Sequence, residues 1–312
     1  MGLVLELIEL TKHFRTNWTF RTVRAVDGLT LSVEEGEVFG IIGHNGAGKT
    51  TTFKLLVGLL RPTHGVVLWD GVPLEWCQPR GSIGFAPEQP YFYDYLTVRE
   101  TLNFYGQLYR MNAAQRRQRV DALAAELQIE HKMDATIRTL SKGTLQRVAV
   151  AQAIMQQPRL VILDEPMSGL DPAGRKHMRD LILSLKRNGT TVLFSSHILS
   201  DAEALCDRVA ILVGGQFREV VDLGQDSAAP TSYTLVCNEV PSQTLTALGR
   251  IAVAPPTGGP KRWTVKCADQ VAVRAALAEL QDAGAYVEAI MPERPTLEQR
   301  FMHHVGKGAT AD

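Results

Sequence analysis

The sequence predicts an α/β fold whose core is a parallel β-sheet covered by helices. Three continuous apolar runs support this prediction: EVFGIIG (37–43), RLVILDE (159–165) and TTVLFSSH (190–197). They lack the polar alternation of a half-exposed strand, as is typical of strands that are buried on both faces. The second and third runs flank an amphipathic stretch with short links, which is the order of a parallel strand, helix and strand unit.

The N-terminal part alternates apolar and polar residues instead. The stretches LVLELIEL and GLTLSV have this pattern and predict half-buried strands of an antiparallel layer. Because acidic residues interrupt the first stretch and no basic segment precedes it, we expect no signal peptide. No apolar run approaches the ~18 residues of a membrane-spanning helix, so contact with a membrane is expected only through another polypeptide.

Two helices are marked in the core. The first, TTFKLLVGLL, follows the run 37–43 and stops before Pro62. The second lies between the other two runs, with Asp171 as its expected N-cap, Pro172 as its first residue and Gly189 beyond its last turn. One face of this second helix is apolar and suits packing on a sheet. That face carries Met178, Leu181, Ile182 and Leu185.

Two further regions complete the predicted organisation. Helix-forming residues dominate at about 90–158, which predicts an inserted helical subdomain. The stretch GQDSAAPTS is typical of a linker. We therefore predict one domain over 1–225 and a small α+β domain over 226–312, with an accessory, dimerisation or regulatory role. Its strands are expected near 232–237, 262–267 and 285–290, and its helices near 241–248, 270–282 and 296–304.

Composition gives no sign of a bulk charged partner. The 312 residues include 33 basic and 33 acidic side chains, so neither nucleic acid nor an anionic membrane surface is expected as the main partner. The four cysteines, Cys77, Cys206, Cys237 and Cys267, form no C-x-x-C pair, which favours buried reduced thiols over a disulfide framework or a zinc site.

The stretch GHNGAGKT (43–50) fits the pattern G-x-x-x-x-G-K-[ST], with a predicted strand before it and a predicted helix after it. In such a loop, glycines let backbone N–H groups surround a phosphate, and the helix N-terminus adds partial positive charge. Lys49 is expected to reach the β- and γ-phosphates, and Thr50 to offer its hydroxyl to Mg²⁺. The candidate nucleotide contacts here are Gly43, His44, Asn45, Gly46, Ala47, Gly48, Lys49, Thr50 and Thr51.

Two of the buried runs end in side chains that can bind a metal ion or transfer a proton. Asp164 ends the second run at the carboxyl edge of the predicted sheet, where it can hold Mg²⁺. Glu165 is the candidate base that orients or deprotonates an attacking water. A helix N-cap is the alternative explanation for this acidic pair. His197 ends the third run at the same edge, and a structural histidine is the alternative there.

Five motifs in a fixed order carry a family resemblance: GHNGAGKTT, LSKGTLQR, VILDEP, SGLD and SSH. Residues 3 to about 222 resemble the nucleotide-binding subunit of an ATP-binding-cassette (ABC) transporter, which has a P-loop NTPase core. The resemblance implies that two subunits sandwich ATP head to tail. It implies that Ser141 and Gly143 serve the nucleotide of the partner, that Asp171 communicates across the dimer, that His197 contacts the γ-phosphate and that Phe14 stacks on adenine.

The chain departs from the family pattern in two places. Lys142 and Thr144 stand where the usual Leu-Ser-Gly-Gly-Gln motif has glycine and glutamine. In the loop GFAPEQPYFYDYLTVRE, Glu88 stands where the family usually has a glutamine that contacts Mg²⁺ and water. A carboxylate there can coordinate Mg²⁺, yet it also repels the phosphates. The candidate metal ligands are therefore Thr50, Asp164 and, with this reservation, Glu88.

The resemblance implies an ATPase that uses ATP and Mg²⁺, pairs with a second copy or a homologous subunit, and drives a separate permease. The segments EPMSGLDP and RPTLEQRF resemble export-type systems, and the expected location is the cytoplasmic face of the inner membrane. Tyr91, Phe92, Tyr93 and Tyr95 either pack the subdomain or receive a helix of the permease. The alternative class is a soluble ABC ATPase that acts on ribosomes or DNA.

Overall fold

The computed structural model describes residues 2–15, 22–74, 83–223, 232–259, 262–293 and 296–308. The chain divides into two compact units. The first consists of Met1–Gly224 together with His304–Asp312, and the second of Gln225–His303. Most of the predicted linker GQDSAAPTS lies outside the described residues, as does Cys77. Cys206, Cys237 and Cys267 are buried, and none of these three described cysteines forms a disulfide.

The first unit contains ten strands and six α-helices among its described residues up to 223. The strands are β1 (Leu3–Arg15), β2 (Thr22–Glu34), β3 (Val38–Ile42), β4 (His64–Trp69), β5 (Val72–Pro73), β6 (Ile83–Ala86), β7 (Leu160–Leu163), β8 (Thr191–Ser196), β9 (Arg208–Val213) and β10 (Gln216–Asp222). The helices are α1 (Lys49–Leu56), α2 (Val98–Leu108), α3 (Ala113–Glu126), α4 (Lys142–Ala153), α5 (Pro172–Arg187) and α6 (Leu199–Leu205).

All ten strands belong to one sheet, in the order β5-β4-β1-β2-β10-β9-β3-β8-β7-β6. The strands β9, β3, β8, β7 and β6 are parallel neighbours. The strands β5, β4, β1 and β2 form an antiparallel part. Between these parts, β10 pairs with β9 antiparallel and meets β2 at the single register pair of Gln216 and Asp27. The predicted α/β core with an antiparallel layer is thus confirmed.

The three apolar runs form the parallel part of the sheet because their side chains are buried on both faces. Every residue of β3, β7 and β8 is buried. The three strands are parallel, so their carboxyl ends meet at one edge of the sheet. The residues that follow directly are Gly43, Asp164 and His197. The phosphate loop, the acidic pair and the histidine therefore share one edge.

Helix α5 begins and ends where the sequence predicts. The Oδ1 atom of Asp171 accepts a hydrogen bond from the backbone N–H of Gly174 at 3.1 Å, and Pro172 is the first helical residue. Gly189 follows the helix with a positive φ of 83°, a conformation that favours glycine. The four residues predicted for its apolar face, Met178, Leu181, Ile182 and Leu185, are all buried.

The inserted segment contains three well-capped helices. Thr97 and Glu100 form a capping box at α2, as do Asn112 and Gln115 at α3. Ser141 caps α4 by accepting a hydrogen bond from the N–H of Thr144 at 3.3 Å. Side chains from all three helices are buried. The buried residues of the segment include Leu102, Val120, Leu123, Val148 and Val150.

The second unit is built on an antiparallel sheet in the order β12-β13-β11-β14. Its elements are β11 (Ser232–Asn238), α7 (Ser242–Ile251), β12 (Thr257–Gly259), β13 (Arg262–Cys267), α8 (Gln270–Asp282), β14 (Tyr286–Glu293) and α9 (Leu297–Gly308), of which only the residues up to His303 belong to this unit. The core includes Leu235, Leu248, Val265, Ala276 and Leu280. The α+β pattern matches the prediction, while the three-residue strand β12 was not predicted. None of the described helices has both the length and the apolar character that crossing a membrane requires.

Candidate nucleotide site

A cleft of about 340 Å³ opens at the carboxyl edge of the parallel strands. Three parts of the first unit contribute to its walls: the phosphate loop with the start of α1, the beginning of β2, and the acidic residues Glu88 and Glu165. The cleft therefore brings together predicted residues that lie up to about 120 positions apart in the chain. Its lining residues are Val23, Arg24, Ala25, Asn45, Gly46, Ala47, Gly48, Lys49, Thr50, Thr51, Glu88 and Glu165.

The phosphate loop needs its glycines because the backbone is crowded. Gly48 has a φ of 100°, and a Cβ atom there would lie 2.2 Å from the carbonyl oxygen of Ala25. A Cβ atom at Gly43 would lie 2.6 Å from the carbonyl oxygen of Leu212. Neither position has room for a side chain, so the loop is held between β2 and β9 by close backbone contacts.

Lys49 is buried at the base of this loop, with 5% of its surface exposed. Its Nζ atom donates hydrogen bonds to the carbonyl oxygens of Gly43 at 2.7 Å and His44 at 3.3 Å. Nζ also lies 3.1 Å from Oε1 of Glu165. That contact is an ion pair rather than an aligned hydrogen bond, because Oε1 accepts no hydrogen bond from the described residues. The ammonium group is thereby fixed between the loop and the acidic pair.

Asp164 and Glu165 are joined through Ser195 on the neighbouring strand β8. The Ser195 hydroxyl donates to Oδ1 of Asp164 at 2.7 Å and accepts from the backbone N–H of Glu165 at 2.8 Å. Asp164 is fully buried, and its Oδ2 atom accepts no hydrogen bond from the described part of the chain. A buried carboxylate oxygen without a partner is costly, which makes Oδ2 a candidate coordination position at this edge.

Burial raises the pKa of the Asp164 carboxyl above its usual value. The hydroxyls of Ser195 and Thr50 oppose this rise in pKa. Oδ2 still accepts no hydrogen bond from the described residues, Thr50 included. The negative charge of Glu165 adds to the rise and the ammonium of Lys49 lowers it. The local surroundings thus favour a cation next to Asp164, because a nearby positive charge stabilises the ionised carboxylate.

His197 completes the arrangement on the other side of Glu165. Its Nδ1 atom lies 2.8 Å from Oε2 of Glu165, as a ring N–H that donates to a carboxylate would. Glu165 itself has a φ of 50°, which is unusual for a residue with a side chain and is typical of functional positions. The carboxylate of Glu165 is therefore held from both sides, by Lys49 and by His197.

The donor set fits Mg²⁺ bound together with a triphosphate. Thr50, Asp164 and Glu88 offer hydroxyl and carboxylate oxygens, the ligands that this hard cation prefers. Among the described residues, no cluster of three or more His, Cys, Asp or Glu could hold a metal ion on its own. Phosphate oxygens would have to supply the remaining ligands, which is the usual situation for Mg²⁺ in nucleotide sites.

Four predicted site residues lie outside the cluster at this edge of the sheet. Ser141 and Gly143 are at the N-terminus of α4, and Asp171 precedes α5. Phe14 is 39% exposed and pairs in register with Val23, which does line the cleft. The structure thus gathers the phosphate loop, Glu88, Asp164, Glu165 and His197 at one edge and leaves these four outside that cluster.

Two contributions to the site were not predicted from the sequence. Ser195 connects the acidic pair, and its signal was a hydroxyl residue inside the buried run LFSS. Val23, Arg24 and Ala25 line the cleft from β2. No local motif marks those three, because only the register of β2 with its neighbours brings them to the phosphate loop.

Known proteins of similar sequence belong to one class, the ABC transporter proteins. The family model described as ABC transporter matches residues 26–168. An ABC transporter ATP-binding protein of Synechocystis sp. is 44% identical over 216 residues, which are 68% of this chain and 61% of that protein. The chain also spans 63% of a Nostoc relative that is 46% identical over 211 residues. It therefore spans less than two thirds of the length of these two relatives.

Other relatives match more completely. The ABC transporter ATP-binding protein YhcH of Bacillus subtilis is 33% identical over 310 residues, with 98% of this chain and 97% of YhcH covered. Among solved structures, the dimeric cassette MJ0796 bound to ADP and Pi has a TM-score of 0.65 at 26% identity, covering 70% of this chain and 98% of that one. The structure of cbiO1 from Clostridium perfringens, part of the ABC transporter complex cbiONQ, has a TM-score of 0.61 at 28% identity, covering 72% and 90%.

The matched regions include the residues that form the cleft. The match to the family model contains the phosphate loop, Glu88, Ser141, Asp164 and Glu165, and the match to YhcH extends over almost the entire length of both chains. With the phosphate loop and acidic pair at one sheet edge, the chain belongs to the family of ABC transporter ATP-binding proteins.

Proposed function

We propose that this chain is the ATP-binding and ATP-hydrolysing subunit of an ABC transporter. In this proposal, two copies close on two ATP molecules, closure drives a separate transmembrane permease, and hydrolysis reopens the pair. The observation that carries the proposal is the convergence of Lys49, Asp164, Glu165 and His197 at one edge of the sheet. Export as the direction of transport rests on the family resemblance alone.

Nucleotide binding is assigned to the phosphate loop. Its crowded glycines bring backbone close to the cleft, and the N-terminus of α1 adds partial positive charge for phosphate oxygens. Lys49 adds a full positive charge that is anchored by two loop carbonyls. Thr50 and Asp164 would hold Mg²⁺, with Glu88 as a third candidate, and the bound cation would neutralise charge on the phosphates. Phe14, beside Val23, is the candidate for adenine stacking.

Hydrolysis is assigned to Glu165. Its carboxylate is the group that would orient a water molecule and accept its proton as that water attacks the γ-phosphate, giving ADP and phosphate. Because Lys49 and His197 contact its two oxygens, the side chain is held in place before any reaction begins. His197 is also the candidate for contact with the γ-phosphate.

A second copy is the expected partner of the site. Ser141, Gly143 and Asp171 are predicted to act on a nucleotide, yet none of them lines the cleft of their own chain. Their placement supports a head-to-tail pair in which they serve the nucleotide of the other copy. The similar cassette MJ0796 is a dimer in its solved structure, and a homologous subunit is the alternative partner.

The permease is the proposed membrane partner. Tyr91 and Tyr95 are 89% and 71% exposed, whereas Phe92 is buried and packs edge-on against Tyr105. Exposed aromatic side chains on a firmly packed base suit a docking site for a short helix of another protein. The similar protein cbiO1 is part of a transporter complex. We propose that the chain works at the cytoplasmic face of the inner membrane, with residues 226–312 as an accessory, dimerisation or regulatory domain.

The test measures phosphate release by the purified full-length chain with Mg²⁺ and ATP. Lys49→Ala is expected to lower the rate by about 10² or more, because the removed ammonium group stabilises phosphate charge. Lys54→Ala is the matched control, since Lys54 is an exposed lysine of the same helix. Equal rates for wild type and Lys49→Ala would contradict the proposal. Membrane association that depends on a co-expressed permease supports transport, and co-sedimentation with ribosomes supports the alternative class.

A further inference from the structure

We propose that Arg175 and Asp201 act as a positioning pair that holds His197 against Glu165 and ties both to the loop of Asp171. The inference rests on the proposed ATPase function and adds two residues to it. Neither residue lines the nucleotide cleft or belongs to the five family motifs. Their role would be to fix the place of His197.

The pair joins the first turns of two helices. The Nη2 atom of Arg175 on α5 donates to Oδ2 of Asp201 on α6 at 2.6 Å. Asp201 is 2% exposed and the guanidinium lies against its buried carboxylate, whereas 31% of the Arg175 side chain remains exposed. Removing one partner of such a pair leaves a buried charge without compensation, which makes the contact a strong link between α5 and α6.

Asp201 is hydrogen-bonded to the short segment that carries His197. Only three residues separate them, and the backbone N–H of Asp201 donates to the carbonyl of Ile198 at 3.3 Å. Ser196 fixes the other end, because its hydroxyl accepts from the N–H of Ile198 at 2.9 Å. Asp201, His197 and Glu165 surround a cavity of only about 10 Å³, so a shift of α6 would be transmitted to the contact between His197 and Glu165.

Arg175 is also bound directly to the Asp171 loop. Its backbone N–H donates to the carbonyl of Asp171 at 2.9 Å, and the neighbouring Gly174 N–H donates to the Asp171 carboxylate. A displacement of that loop therefore moves the first turn of α5 and with it the guanidinium. The ion pair passes this movement to α6 and His197. In this way, contact of Asp171 with a second copy would reach the residue that holds Glu165.

Helix α5 offers a matched control at its other end. Lys186 pairs with Asp207 at the same distance of 2.6 Å, and the Lys186 side chain is 35% exposed, although the Asp207 side chain is 33% exposed and that of Asp201 only 3%. Both contacts thus join a basic residue of α5 to an aspartate beyond β8. Lys186 lies in the last turn of the helix, far along it from Asp171. A variant of Lys186 therefore tests the general anchoring of α5, whereas a variant of Arg175 also tests the positioning of His197.

The experiment compares Arg175→Gln, Arg175→Lys and Lys186→Gln in the full-length chain. We expect Arg175→Gln to lower kcat about 10-fold and to change the KM for ATP less than about 2-fold, because geometry at Glu165 is lost while the cleft is kept. Arg175→Lys should recover most of the rate, and Lys186→Gln should retain it. Thermal unfolding of each variant shows whether the fold is preserved.

A second readout needs no nucleotide. The imidazole NMR signals of His197, assigned with His197→Gln, should shift or broaden in Arg175→Gln and stay unchanged in Lys186→Gln. If Arg175→Gln and Lys186→Gln give the same rates and the same His197 signals, the positioning role is wrong. If the wild-type chain releases no phosphate at all, the proposed function fails and this inference falls with it.

Discussion

At the scale of single residues, the site depends on how Glu165 is held. Its backbone has a positive φ, its N–H is bound by Ser195, and its two carboxylate oxygens lie next to Lys49 and His197. Such a residue gains no stability from its own conformation, so its surroundings must enforce it. An enforced backbone geometry of this kind is typical of functional positions.

Glu165→Gln separates binding from hydrolysis. The amide keeps the size of the side chain but cannot accept a proton, so kcat should fall by about 10²–10⁴. ATP binding should persist, because Lys49 keeps its two carbonyl partners in the phosphate loop. Closed dimers should then accumulate with ATP, as measured by size-exclusion chromatography with light scattering. Near-normal hydrolysis by this variant would remove Glu165 from its role.

Glu88→Gln tests the unusual carboxylate in the cleft wall. Glu88 lines the cleft together with Thr50 and Glu165, so its charge faces the region assigned to the phosphates. If the position serves as a polar contact to Mg²⁺ or water, the amide should keep most of the ATPase activity and also reduce repulsion of the phosphates. Rates measured across a Mg²⁺ titration check this. Complete loss of activity would mean that the carboxylate itself is required.

At the scale of elements, strongly patterned segments could be predicted and short ones could not. The runs that became β3, β7 and β8 are continuous and apolar, and α5 carries a cap, a proline and a terminal glycine. Strand β6 has only four residues, with Gly84 in the middle. Its signal is too short to detect, and β6 exists because β7 offers it a parallel partner.

The contact between the Asp171 loop and α4 also could not be predicted from the sequence. Gly169 has a φ of 73°, and a Cβ atom there would lie 3.0 Å from Cδ of Lys142. A Cβ atom at Gly143 would lie 3.1 Å from Cδ2 of Leu170. The departure at Lys142 therefore has a local consequence, because its stem packs over the loop that precedes Asp171. The sequence places these residues 27 positions apart and gives no hint of the contact.

Gly169→Ala tests the strain that this loop imposes. The substitution should lower the free energy of unfolding by about 1–2 kcal/mol, because a side chain is unfavourable at this φ. Urea unfolding followed by circular dichroism measures the change. Gly189→Ala, also at a positive φ but with open space around its Cβ, separates backbone strain from contact with Lys142. If Lys142→Ala added to Gly169→Ala restores no stability, the contact contributes nothing beyond the backbone term.

At the scale of the whole molecule, one chain carries two motifs suited to phosphate but only one of them lines its cleft. The phosphate loop forms the cleft wall, while Ser141 and Gly143 lie outside it at the N-terminus of α4. Within a single chain, the second motif has no assigned nucleotide. A head-to-tail pair would give both motifs a role, and each site would then depend on residues from two chains.

Mixing two inactive variants tests this shared site. Lys49→Ala disables the phosphate loop, and Gly143→Asp places a negative charge at the start of α4, where it would repel phosphate while remaining compatible with the helix dipole. Each variant alone should be inactive. In a mixed dimer, both defects fall in one site and the other site is intact. Phosphate release by an equal mixture should therefore recover to about a quarter of the wild-type rate, if pairing is random and the sites act independently. If both motifs served the nucleotide of their own chain, no mixed dimer would contain an intact site, and the mixture would stay inactive.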